Sequence, residues 1–187
     1  NYASELLTHL GAHGMASVFQ QRASDLRGIL NGCDYQDWDP TFDPLLPATY
    51  DADHLAGKHA CKRALQQETG LPVGNLPIYG MVCRLTEQKG VHLLIPALDK
   101  FLQHQVQVVI VGSGDPSLAA QLQTIALQHP DRFAFINAYD DRLAHLVEAG
   151  ADFFLMPSLF EPCGLNQMYS LAYGTLPLVR AVGGLKD

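Results

Sequence analysis

Long hydrophobic runs are missing from this sequence: none approaches the about 18 residues that a membrane-crossing helix needs, and no secretory leader pattern is recognised. Positive charge is scarce. Lys and Arg number 12 against 19 Asp and Glu, a formal charge of −7. Apart from Lys58, Lys62 and Arg63 the basic residues are scattered, which excludes a nucleic-acid or anionic-membrane binder that works by neutralising phosphates. The four cysteines, Cys33, Cys61, Cys83 and Cys163, form no C-x-x-C pair. They read as reduced thiols of a cytoplasmic protein. Neither G-x-S-x-G nor H-E-x-x-H occurs, and there is no complete G-x-G-x-x-G and no Walker lysine. His9 with His13, and His54 and His59 with Cys61, match no metal template, so no metal is expected.

What remains is an ordinary globular balance, 48% apolar and 17% charged. A chain of 187 residues can bury roughly 70% of its unfolded surface without staples. Its length suggests one domain with part of another. It starts at Asn1 inside a helical pattern and stops at Asp187 in a turn after a strand. The expectation is a piece of a longer protein, its site shared with the missing part.

Tyr2 to Leu10 has helical spacing, with Gly11 as a stop, and residues 11–27 carry no clear period. Residues 33–55, with Trp38, Pro40, Pro44, Pro47 and several aspartates, read as an extended surface connection marking a boundary between two bodies. The expected division is 1–31 and 32–187. A helix is predicted over 57–69. From Pro77 onward, strands over 78–83, 106–111, 133–138, 153–157 and 177–180 alternate with helices over 91–103, 116–128, 142–149 and 164–173. The strands are continuous apolar runs, as required when helices cover both faces. This alternation predicts right-handed βαβ units and an α/β fold with a doubly wound parallel sheet, Rossmann-like. Ligands of such sheets sit beyond the carboxyl ends of the strands, so the strand-to-helix loops should carry the chemistry.

Four loops are informative. Arg84-Leu85-Thr86-Glu87-Gln88-Lys89-Gly90 puts a guanidinium at a strand end and an ammonium at a helix entrance, which suits a diphosphate or simply a solvated loop. Gly90 would let the helix start close to a ligand. Gly112-Ser113-Gly114-Asp115-Pro116 is either a backbone approach to phosphate or a tight turn opening a helix. In Asn137-Ala138-Tyr139-Asp140-Asp141, Tyr139 can stack on a planar base or sit at a rim, while an aspartate caps the next helix. The most specific is Met156-Pro157-Ser158-Leu159-Phe160-Glu161-Pro162-Cys163-Gly164-Leu165. There Glu161 can bind hydroxyls beside helix N–H groups that can hold an anion. Cys163 has no histidine nearby in sequence, so a packed thiol is the simpler reading than a nucleophile.

These residues resemble bacterial glycogen synthases and plant starch synthases. The resemblance rests on Gly28-Ile29-Leu30-Asn31-Gly32, Arg84-Leu85-Thr86 with Gln88-Lys89-Gly90, Ala149-Gly150-Ala151-Asp152, Phe160 to Leu165, Tyr173-Gly174-Thr175 and Gly183-Gly184-Leu185. It implies a retaining glucosyltransferase of the two-domain GT-B architecture, with ADP-glucose as donor, an α-glucan as acceptor, and no cofactor. This chain would be the nucleotide-sugar-binding C-terminal domain, with the end of the preceding domain at its start. By the same resemblance, Arg84 and Lys89 would bind the donor diphosphate and Glu161 the glucose hydroxyls. Tyr139 would stack on the base, the backbone at Cys163, Gly164 and Leu165 would hold sugar and phosphates, and Asn31 would reach the sugar from the domain boundary. Leu159 stands where the family has Arg, Val182 where it has Thr, and Tyr169 where related sucrose and glycosyl transferases carry a second Glu. Two rival readings are a retaining transferase for another nucleotide sugar and a non-catalytic nucleotide- or glycan-binding module.

Overall fold

The computed structural model describes residues 2–9 and 11–187. Two short helices, α1 (Tyr2–Glu5) and α2 (Ala16–Gln21), precede α3 (Ala56–Glu68). Then come β1 (Ile78–Val82), α4 (Val91–Phe101), β2 (Gln107–Val111), α5 (Pro116–Gln128), β3 (Phe133–Ile136), α6 (Asp141–Gly150), β4 (Phe153–Met156), α7 (Leu165–Ala172) and β5 (Leu176–Val179). All strand pairs are parallel, in the order β3-β2-β1-β4-β5. The order reverses between β1 and β4, so their carboxyl ends open a crevice.

Side chains on β2 alternate between two cores, which is why the whole strand is apolar. Val109 and Val111 pack with Ile78, Phe154, Leu65, Leu146 and Val147, on the side of α3 and α6. Val108 and Ile110 pack with Met81, Phe133, Leu98, Leu122 and Ile125, on the side of α4 and α5. Helix starts follow local chemistry. Asp115 Oδ1 accepts from the N–H groups of Ser117 and Leu118 ahead of Pro116, and Asp140 Oδ1 accepts from Leu143 N–H. Asp152 Oδ2 accepts from Ile78 N–H and from Lys62 Nζ, each at 2.7 Å, tying β1 to α3. Among the described residues, no helix is long and apolar enough to cross a membrane.

Two expectations need correction. The predicted first helix ends after Glu5, with turns beyond it. Its predicted end, Leu10, lies outside the described residues, as does Asn1. Residues 16–21, without a clear period, are nonetheless helical. The connection over 33–55 is not merely a surface segment either. Trp38 stacks on both His145 (3.7 Å between ring centres) and Tyr169 (3.9 Å). Buried Asp43 accepts from the Tyr173 hydroxyl at 2.6 Å and lies 2.8 Å from His145 Nδ1. The Tyr50 hydroxyl donates to the Tyr173 carbonyl at 2.8 Å. The connection is thus pinned to α6 and to the end of α7. Tyr173→Phe removes a bond to a buried carboxylate and should lower stability by about 1.5–3 kcal/mol. An unchanged urea midpoint would show that His145 and Leu45 N–H satisfy Asp43 without it.

Candidate functional site

The loops after β1 and β4 meet at the sheet's switch point. Lys89 Nζ donates to Glu161 Oε2 at 2.6 Å, and Ser158 Oγ donates to the same oxygen at 3.2 Å. Leu159 N–H donates to the Gln88 carbonyl at 2.8 Å, and Gln88 Nε2 donates to the Phe160 carbonyl at 3.3 Å. The loop carrying Leu159 is therefore braced through its backbone, without an arginine at that position. Gly90 has φ 71°, and a Cβ there would collide with the Pro157 carbonyl. Its small size serves the packing of the two loops on each other. Likewise Gly183, at φ 50°, leaves no room for a Cβ beside the Glu161 carbonyl, which accepts from Gly184 N–H at 2.8 Å.

Two cavities flank this junction. One, of about 250 Å³, is lined by Arg84, Lys89 and Tyr139 together with Trp38, Asn166 and Tyr169. The other, of about 790 Å³, is lined by Asn31, Cys163, Gly164 and Gln167, with Asp187 at its edge. The predicted residues thus divide into a cationic, aromatic group and a group around the start of α7. Glu161 lines neither cavity. It is 7% exposed and held by Lys89. Leu165, the first residue of α7, is exposed and also outside both linings. Tyr139 is 90% exposed, free to receive a flat ligand at the rim.

Among the described residues, both thiols near the site are shifted away from the thiolate. Burial pushes Cys163 above its ordinary value, against a hydrogen bond with Asn31 that favours the thiolate. Cys83, in the first cavity wall, is pushed up to about 12 by burial, with Lys89 opposing. Of the histidine and cysteine groupings in the sequence, His54 faces Asp51, and Cys61 donates to the Ala48 carbonyl. Three further contacts bind the first residues to the same junction. Glu5 Oε1 accepts from Gly183 N–H, His13 packs edge-on to Phe160, and Asn31 meets Cys163.

Sequence reasoning missed Trp38, Tyr169 and Asn166 as cavity residues. Tyr169 and Asn166 follow the Glu161 loop at helical spacing, a signal that one face of α7 lines the site. Trp38 lies far upstream, and no spacing connects it.

The chain is 89% identical, over its full length, to a glycogen synthase of Aeromonas hydrophila subsp. hydrophila, and covers 38% of that protein. It is 66% identical to a glycogen synthase of Vibrio parahaemolyticus, again over the whole chain and 39% of the relative. The chain therefore spans well under half the length of these curated relatives. Among solved structures, the catalytic domain of starch synthase IV from Arabidopsis thaliana bound to ADP and acarbose superposes with a TM-score of 0.93. It shares 38% identity, over 100% of this chain and 39% of that one. This superposition identifies the five-stranded parallel sheet as the C-terminal, Rossmann-like domain of the GT-B architecture. The family profile of glycosyl transferases group 1 matches residues 63–187, which include all five strands and both loops of the Lys89–Glu161 junction; the chain belongs to the glycosyl transferases group 1 family.

Proposed function

We propose that the chain forms the nucleotide-sugar side of a retaining glucosyltransferase, moving glucose from ADP-glucose to the non-reducing end of an α-1,4-glucan in the cytoplasm. The observation that carries this reading is the Lys89–Glu161 pair, 2.6 Å apart, beside the cavity that holds Arg84. It supports the reading because an ammonium suited to phosphate and a carboxylate suited to hydroxyls lie within one ligand's reach. The likeness to glycogen synthases, and to a starch synthase bound to ADP and acarbose, supports the donor and acceptor classes.

In this reading residues 1–31 belong to the acceptor-side domain and hinge, and residues 32–187 to the nucleotide-sugar domain. Arg84 and Lys89 hold the diphosphate and stabilise it as it leaves, where negative charge builds in the transition state. Tyr139 stacks on the base. Backbone N–H groups at Cys163, Gly164 and Leu165 hold sugar and phosphate at the start of α7. Asn31 approaches the sugar from the hinge. Donor binding draws Lys89 from Glu161 to phosphate and frees the carboxylate for the glucose hydroxyls. With Glu161 given to the glucose hydroxyls, retention in this reading comes from front-face displacement, with the leaving phosphate accepting the acceptor's proton.

Titration with ADP, UDP and their glucose conjugates tests the assignment. The 187-residue chain should bind ADP, changing the emission of Trp38 in the cavity wall, yet should not elongate glucan. The acceptor contacts belong to the remainder of the enzyme. Glucan synthesis by this chain alone would overturn the division of labour, and preference for UDP would reassign the donor.

A further inference from the structure

Behind the first cavity lies a carboxyl group for which the proposed reaction has no use. Glu148, near the end of α6, is fully buried. Its Oε2 is 2.7 Å from Ser170 Oγ, and its Oε1 is 3.4 Å from Asn166 Nδ2. Ser170 Oγ is also 2.7 Å from the Asn166 carbonyl oxygen. A hydroxyl has one proton and cannot serve two acceptors at once. Every contact is satisfied together when Glu148 carries a proton on Oε2 and donates it to Ser170 Oγ. Ser170 then donates to the Asn166 carbonyl, and Asn166 Nδ2 donates to Oε1. Resting on the nucleotide-binding reading of the cavity, we infer that Glu148 is a protonated positioning residue that sets Asn166 in the cavity wall, and that losing this proton weakens diphosphate binding.

The surroundings favour the neutral form. Burial pushes Glu148 up to about 8, outweighing Ser170, Lys58 and Asn166. Lys58, on α3, is already committed: its Nζ donates to the carbonyls of Ala149 and Tyr173, each at 3.0 Å, and to Thr175 Oγ1 at 2.8 Å. Burial also pulls Lys58 down to about 8. The other titratable groups around Glu148 are Tyr50 from the connection, and Tyr169 and Tyr173 from α7 and its end. Burial raises all three, so they stay neutral. Cys61, beside Lys58 on α3, is raised by burial too. Asp43 and His145 are occupied with each other and with Tyr173. A carboxylate at Glu148 would draw the Ser170 proton away from the Asn166 carbonyl and place negative charge behind a diphosphate site. The competent form is the protonated one, so affinity is full well below pH 8 and falls as pH rises through it.

ADP affinity of the intact protein, measured by calorimetry at about pH 6.5 and about pH 9, tests this. The parent should lose about tenfold, the size of one charge acting across a cavity wall. Glu148→Gln should escape this loss and change only as the ionisation of ADP dictates, because the amide donates to Ser170 Oγ and accepts from Asn166 as the protonated acid does. The ionisation of ADP itself is common to both proteins and cancels. A parent profile with no loss relative to Glu148→Gln overturns the inference. So does an equal alkaline loss in Glu148→Gln, which would assign the effect to Lys58. A merely structural Glu148 would change melting temperature without changing the profile. Absence of ADP binding at any pH would instead defeat the nucleotide reading. In that case the infrared band of a buried protonated carboxyl, present in the parent near neutral pH and lost in Glu148→Gln, still tests the proton, and its absence in the parent overturns the assignment.

Discussion

Glu161→Gln should lower kcat of the full-length transferase by on the order of 100-fold while ADP affinity stays equal to the parent's or slightly tighter. In the proposed mechanism the carboxylate orients the sugar and offsets positive charge developing at the anomeric carbon, and an amide would keep the shape without that charge. Lys89 is held by Glu161 at 2.6 Å. Neutralising the partner releases the ammonium for phosphate, so affinity should not fall. If Glu161 only braces the turn before α7, through its side-chain bonds from Lys89 and Ser158, the mutant should lose stability, ADP affinity and activity together. Melting temperature, ADP affinity and kcat on one preparation separate these outcomes. An unchanged kcat would remove Glu161 from the reaction.

Arg84→Ala and Lys89→Ala should each weaken ADP binding by about 1.5–3 kcal/mol, roughly 10- to 150-fold, the value of a charge-assisted contact. Their side effects should differ. Arg84 is exposed, and its loss should leave the melting temperature unchanged. Lys89 is the cation paired with Glu161, whose side chain is 9% exposed. Its removal takes the counter-charge from that carboxylate, leaving the Ser158 hydroxyl on the same oxygen, and should also lower stability by about 1–3 kcal/mol. Added salt should weaken ADP binding in the parent more than in either mutant, because a screened contact has already been removed. Both mutants binding ADP like the parent would make the loop after β1 an ordinary solvated surface.

The sequence by itself determined the sheet and its helices. Continuous apolar strands such as Val108–Val111 can exist only between two covered faces, and turn chemistry such as Asp115-Pro116 is read locally. It also located Arg84, Lys89, Tyr139 and Glu161 in strand-to-helix loops, since a parallel sheet puts those loops at one edge. Strand order was not legible, because any permutation keeps the same apolar runs. The β3-β2-β1-β4-β5 order makes the loops after β1 and β4 neighbours, and so joins Lys89 to Glu161 across 72 positions. Contacts made at such separations leave no period in the chain. Trp38 reaches His145 and Tyr169, Asp43 reaches Tyr173, and Lys58 reaches the Ala149 carbonyl only after α3, α6 and α7 have packed. Glu148 is the sharpest case. A glutamate near a helix end reads as a solvated face, and only the packing of α6 against α3 and α7 removes its water and leaves Ser170 and Asn166 to decide where its proton sits.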